Sequence, residues 1–171
     1  MSSYRGIAAA SFAAMAISCA AQSAMADESG SFTALASLIA DYTMIEHPGG
    51  TIVGGASAGT NTVLESSGGP FPAGEHSHVN CVVYGKRSAA GLELEAPCLS
   101  TTAAGDKLYS ISKRSAGGVE EGAGGAGRLE LLSGTGKFAG VTGTCTYRTA
   151  YLAEGRVVTM SDCSWQRSAG Q

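Results

Sequence analysis

His76 and His78 are the side chains in this sequence best suited to metal chemistry. Neutral imidazoles suit zinc or copper, and on a strand the i, i+2 spacing turns both rings to one face. Glu75 is adjacent, Glu95 falls across a predicted hairpin, and His47 would join if the first strand lay alongside. A bound metal needs three or four converging ligands. Spacing fixes no third, so two exposed histidines beside a loop is the plainer expectation. Glu93 and Glu95 stand about 7 Å apart along one strand face by rise alone, which reads as surface acidity rather than the carboxylate pair of a glycosidase. Nucleophilic catalysis needs a serine or cysteine activated by a base. No G-x-S-x-G occurs, and the four cysteines beyond the N-terminal segment are expected to be paired. Gly134 to Lys137 lacks the GxxxxGK[ST] spacing of a phosphate loop, and no helical pattern follows it. No cofactor is called for. Aromatic side chains remain. Tyr147, Tyr151 and Trp165 share one face of a predicted hairpin, and Phe138 is the one bulky apolar group in a glycine-rich segment. Core packing is their plainer role. Around a cavity they would be ligand contacts, apolar with a polar tip on tyrosine and tryptophan.

Two hairpins must position these residues. Val79 to Gly85 and Leu92 to Leu99 flank a turn centred between Ala89 and Ala90. Folded antiparallel, they set Cys81 opposite Cys98, Val83 opposite Ala96 and Lys86 opposite Glu93. One face then carries Val79, Cys81, Val83, Leu92, Leu94, Ala96 and Cys98; the other carries the histidines, Asn80, Tyr84 and the two glutamates, an apolar/polar split that supports the register. Thr142 to Tyr151 and Arg156 to Trp165 repeat the arrangement about Glu154, which sets Cys145 opposite Cys163 and leaves Arg148 and Asp162 on the outer face. Opposed residues in an antiparallel ladder have Cα atoms ~4.5–5.5 Å apart, within disulfide reach. The disulfides are therefore predicted as Cys81–Cys98 and Cys145–Cys163.

The remaining elements are less sharply marked. Residues 32–42 fit a helical face through Phe32, Leu35, Leu38, Ile39 and Tyr42, yet Tyr42 to Glu46 is β-prone and His47-Pro48-Gly49-Gly50 closes it as a turn. A first strand near 40–47 is the preferred reading. Thr51 to Val53 and Thr60 to Glu65 read as two strands with a glycine-rich joint, Lys107 to Lys113 and Arg128 to Leu132 as two more, and 115–127 as a flexible solvated loop. About eight short strands at a spacing near ten residues predict an all-β fold, a small antiparallel barrel or sandwich. Closure into a barrel removes exposed strand edges, and is the preferred form.

Residues 1–26 read as a secretory signal. Arg5 is the only charge before Asp27, Ile7 to Ala21 is apolar, and Ala24-Met25-Ala26 is an A-x-A cleavage site. The apolar stretch is short for a span of ~20 residues. An uncleaved anchor and lipoprotein processing at Cys19 are the alternatives. Cleavage leaves residues 27–171 as a single domain with four cysteines, an even number that suits an oxidising compartment, periplasmic or secreted. Charge is low: 11 Lys+Arg against 14 Asp+Glu over 171 residues, or 10 against 14 without Arg5. That argues against a nucleic-acid surface. Glycine, 25 of 171, is far above the usual ~7% without a Gly-X-Y period, which excludes collagen.

The segment Gly134-Thr135-Gly136-Lys137-Phe138-Ala139-Gly140-Val141-Thr142-Gly143 resembles one found in allene oxide cyclase and, more loosely, in dirigent proteins. It more closely resembles uncharacterised exported bacterial proteins of the allene-oxide-cyclase-like (calycin/dirigent-like) barrel type. Gly105-Asp106-Lys107 and Glu95-Ala96-Pro97-Cys98 look like the same proteins, and the likeness spans roughly residues 45–167. The resemblance implies a barrel whose interior meets small apolar molecules. No catalytic residue of those enzymes matches a position here. Three roles follow: non-catalytic binding of a small apolar or amphipathic molecule, a cyclase or isomerase acting in the cavity, or a structural envelope protein with a filled barrel. The small residues Val79, Val83 and Ala96 predict a tightly filled interior, which favours binding or structure over catalysis. Oligomeric state is left open.

Overall fold

A computed structural model describes residues 28–168. Eight antiparallel strands follow one another: β1 (Glu28–His47), β2 (Gly50–Ser66), β3 (His76–Ser88), β4 (Gly91–Thr102), β5 (Lys107–Arg114), β6 (Gly124–Gly134), β7 (Val141–Tyr151) and β8 (Arg156–Arg167). Each pairs with the next, and β8 returns to β1, closing the barrel. The expected signal segment 1–26, with Cys19, lies outside the described residues.

Both hairpins have the register their sequences predict. Cys81 pairs with Cys98 and Lys86 with Glu93, Cys145 pairs with Cys163, and both disulfides form. Their apolar faces, Val79, Val83 and Leu94 on one and Tyr147, Tyr151 and Val157 on the other, are buried inside the barrel. Arg148 and Asp162 point outward and are exposed.

Three expectations change. The first strand is not confined to 40–47: β1 runs through the whole ambiguous stretch from Glu28. Phe32 and Ala34 face the core on a two-residue period, while Ile39 and Ile45 stand exposed on the outer face; apolar residues on both faces of one strand imitate a helical stripe. The segments 51–53 and 60–65 are one strand, β2. Its glycines are no joint. A Cβ at Gly55 or Gly59 would run into the backbone of β1 at Asp41 or Ser37, so glycine there permits close strand approach. The stretch 115–127 is not a free solvated loop. Residues 124–127 belong to β6, and Val119 is buried. The preceding turn is tied to the end of β7 by Gly122 N–H to Tyr151 C=O (2.9 Å) and Tyr151 N–H to Ala123 C=O (2.9 Å). Gly117 takes φ +87° with no room for a Cβ against Gly124.

Each barrel mouth is closed by apolar packing. At the mouth formed by the connections after β2, β4 and β6, Phe71 stacks on Phe32 with ring centroids 4.0 Å apart. Phe138, carried by a single 3-10 turn (Gly136–Phe138), lies 5.3 Å from the Phe71 ring. At the opposite mouth the 115–123 segment lowers Val119 onto Leu92, Val53 and Tyr151 within one buried cluster. Burying each such side chain contributes roughly 1.5–3 kcal/mol.

Candidate functional site

Between the two plugs the inward positions become small. Ser57 on β2, Ala96 on β4, Ser110 and Ser112 on β5, and Thr149 on β7 replace the bulky residues of the ends, and they surround a cavity of about 160 Å3. The tightly filled interior expected from Val79, Val83 and Ala96 is therefore not found. Short side chains on all walls of an eight-stranded barrel do not meet across it.

A buried cation sits at the plugged end beneath the 115–123 segment. Arg114, the last residue of β5, continues the inward phase of Leu108, Ser110 and Ser112 and is only 4% exposed. Its Nη2 donates to the Gly118 carbonyl (3.0 Å) and the Tyr151 hydroxyl (3.4 Å). Its Cζ lies 5.5 Å from the Tyr151 ring centroid, a cation–π arrangement. Nε and Nη1 have no protein partner, and among the described residues no carboxylate forms an ion pair with it. An uncompensated buried charge costs several kcal/mol, so this corner of the barrel is electrostatically strained toward an anion.

Tyrosines complete the corner. The Tyr42 ring meets the Tyr151 ring edge-on at 6.2 Å. Burial, reinforced by the neighbouring Tyr151, pushes the Tyr42 phenol well above the ordinary tyrosine range, while a Ser57 hydrogen bond and the Arg114 charge oppose it. Burial likewise raises Tyr147, against Arg114 and a Ser112 hydrogen bond. Both phenols therefore stay protonated at neutral pH and serve as hydrogen-bond donors, not bases. Among the described residues, the only carboxylate on the cavity wall is Glu75, at the far mouth. There Lys137 Nζ donates to both of its oxygens, with the ammonium 5.0 Å from the Phe138 ring centroid.

Three of the four aromatic residues singled out as ligand contacts, Phe138, Tyr147 and Tyr151, line this cavity. Trp165 is buried at the first mouth, 5.9 Å from Phe71 between ring centroids, and is not on the wall. His76 and His78 are on the outer face of β3, exposed, and His76 Nδ1 is 2.9 Å from Thr62 Oγ1. The residues proposed to join them are elsewhere: Glu75 faces Lys137, His47 ends β1 at the other mouth, and Glu95 pairs with Tyr84. Among the described residues no three of His, Cys, Asp and Glu gather as a metal site. Arg114 and Tyr42 were not singled out from sequence. The two-residue phase of β5, carried one position past Lys113, is the signal that finds Arg114.

No protein-family model matches the chain, and no curated protein matches it. Among solved structures, the pterocarpan synthase dirigent protein GePTS1 is similar over 86% of this chain and 89% of its own, with 13% identity and a TM-score of 0.50. The pterocarpan synthase dirigent protein PsPTS1 aligns over 85% and 98%, also at 13% identity, with a TM-score of 0.45. The likeness to GePTS1 is one of fold, an antiparallel barrel shared with a dirigent protein.

Proposed function

We propose that this protein is an exported barrel that holds a small amphipathic molecule in its interior without transforming it. The observation that carries the reading is the cavity of about 160 Å3, walled by hydroxyl, aromatic and aliphatic groups between the Phe71–Phe138 packing at one end and Val119 at the other. A largely apolar concave site with a few convergent polar groups is the usual form of a small-molecule site. It also argues against a filled, purely structural barrel. The segment 134–143 that resembles allene-oxide-cyclase-like barrels supplies one of the plugs, through Phe138. GePTS1, similar in fold, is named as a pterocarpan synthase dirigent protein, although fold alone assigns no function. Two disulfides suit a periplasmic or secreted location. Among the described residues no helix is long and apolar enough to cross a membrane.

A second reading, a cyclase or isomerase, draws on the convergence of Arg114 with Tyr42, Tyr147 and Tyr151. Those groups can polarise a carbonyl or donate a proton. What the wall lacks is a free base: its one carboxylate is engaged by Lys137. Binding is thus favoured over turnover. Native mass spectrometry of the protein purified from its own source tests the proposal. A retained small molecule, released chemically unchanged on denaturation, is the expected result. Release of a product distinct from the molecule supplied would support the enzyme, and bare protein alone would count against both.

A further inference from the structure

We infer that the molecule held in the barrel is a small monocarboxylate with an apolar body about the size of one aromatic ring, its carboxylate seated on Arg114. This deepens the binding reading above and rests on it. Among the described residues, Arg114 is the only cation lining the cavity. It is 4% exposed, and its Nε and Nη1 donors are unspent. Among the described residues no acidic side chain is placed to neutralise it: Glu120, in the segment above, is turned to Arg87 at 2.5 Å, and Glu75 is held by Lys137 at the other mouth. One buried guanidinium matches one negative charge. A phosphate, nearly doubly charged, would need a second cation that the wall does not offer. Charge-assisted hydrogen bonds from a guanidinium to a carboxylate are among the stronger polar contacts in proteins.

The surrounding groups set the rest of the molecule. Tyr42 and Tyr151 place phenol rings beside the guanidinium, flat faces and edges suited to an aromatic or similarly bulky body. Beyond them Leu38, Val83 and Leu94 continue the wall. A cavity of about 150 Å3 is known to accommodate benzene, and this one is about 160 Å3. A long fatty chain does not fit that volume; a single ring does.

The test compares benzoate with its neutral isostere benzamide at neutral pH, by isothermal titration and by two-dimensional NMR of the tyrosine rings. Benzoate should bind at least tenfold more tightly than benzamide and shift the Tyr42 and Tyr151 ring resonances. Arg114→Gln should weaken benzoate tenfold or more and leave benzamide within twofold; Arg114→Lys, keeping the charge, should restore part of the loss. The wild-type comparison stands even if the variants fail to fold. Equal binding of the two probes in the cavity would overturn the inference and leave the binding reading intact. Benzoate contacts confined to surface resonances would overturn the inference too. Failure of both probes to bind would overturn the inference, and the native mass spectrometry above would then decide the binding reading by itself.

Discussion

Replacing Cys145 and Cys163 together by alanine isolates what one sulfur bridge contributes to the barrel. The two residues are 18 apart in sequence. Loop-closure entropy for a cross-link of that length gives about 3 kcal/mol at 25 °C. Both cysteines are buried, so loss of their sulfur atoms adds on the order of 1 kcal/mol of apolar burial. Alanine is the right replacement, because serine would bury a hydroxyl in the same cluster. The hairpin itself is held by continuous pairing from Val141 opposite Arg167 to Tyr151 opposite Val157, so the variant should keep its fold and lose stability. A loss near 4 kcal/mol corresponds to roughly 10 °C in Tm for a domain of this size. The paired Cys81/Cys98 variant, with a separation of 17, should lose a similar amount. The bridges join β3 to β4 and β7 to β8, on opposite walls, so the two losses should nearly add. The quadruple variant would then forfeit much of the 5–15 kcal/mol that ordinary domains possess. Urea and thermal denaturation followed by circular dichroism read these values. A loss under 1 kcal/mol for either pair would refute the reasoning, as would a Cys81–Cys145 link in a non-reducing peptide map.

Three further outcomes follow from the same packing. Phe71→Ala removes a ring stacked on Phe32 and in contact range of Phe138 and Trp165; it should cost about 3 kcal/mol in urea denaturation, and an unchanged midpoint would mean that this plug is ornamental. Gly117→Ala forces a side chain into a left-handed backbone against Gly124; it should cost about 1–3 kcal/mol and speed hydrogen exchange at Gly118 and Gly122. Because Tyr42 keeps its proton in the folded state beyond the ordinary tyrosine range, the native protein binds more protons than the unfolded chain above about pH 10, and stability must fall as pH rises there. Tyr42→Phe should flatten the slope of unfolding free energy between about pH 10 and pH 12, and an unaltered slope would show the phenol to be solvated.

The parts of the fold legible in sequence are those with a clean two-residue alternation. In β3–β4 and β7–β8 a cysteine on each strand pins the register, and small polar or charged residues mark the outer face, so pairing, disulfides and inward residues are all readable. In β1 the outward Ile39 and Ile45 erase that alternation, and in β2 glycines required for close contact with β1 imitate a linker. The 115–123 segment looks solvated because it is rich in glycine; only its contacts with Tyr151, distant in sequence, reveal it as a plug. The cavity was half legible. Tyr147 and Tyr151 fall on its wall by their phase, and Phe138 reaches it as the one bulky apolar group of its glycine-rich segment. Arg114 escaped because an arginine at a strand end ordinarily faces water, and its burial depends on a covering segment whose position no local pattern encodes.

The most direct test is a crystal structure of the protein isolated from its own source without denaturation. The account expects electron density for a small molecule inside the barrel, between Arg114 and the Phe71–Phe138 plug, with an oxygen within hydrogen-bonding distance of the Arg114 guanidinium. A barrel whose interior is filled by its own side chains, or a small molecule bound only on the outer face, would contradict it.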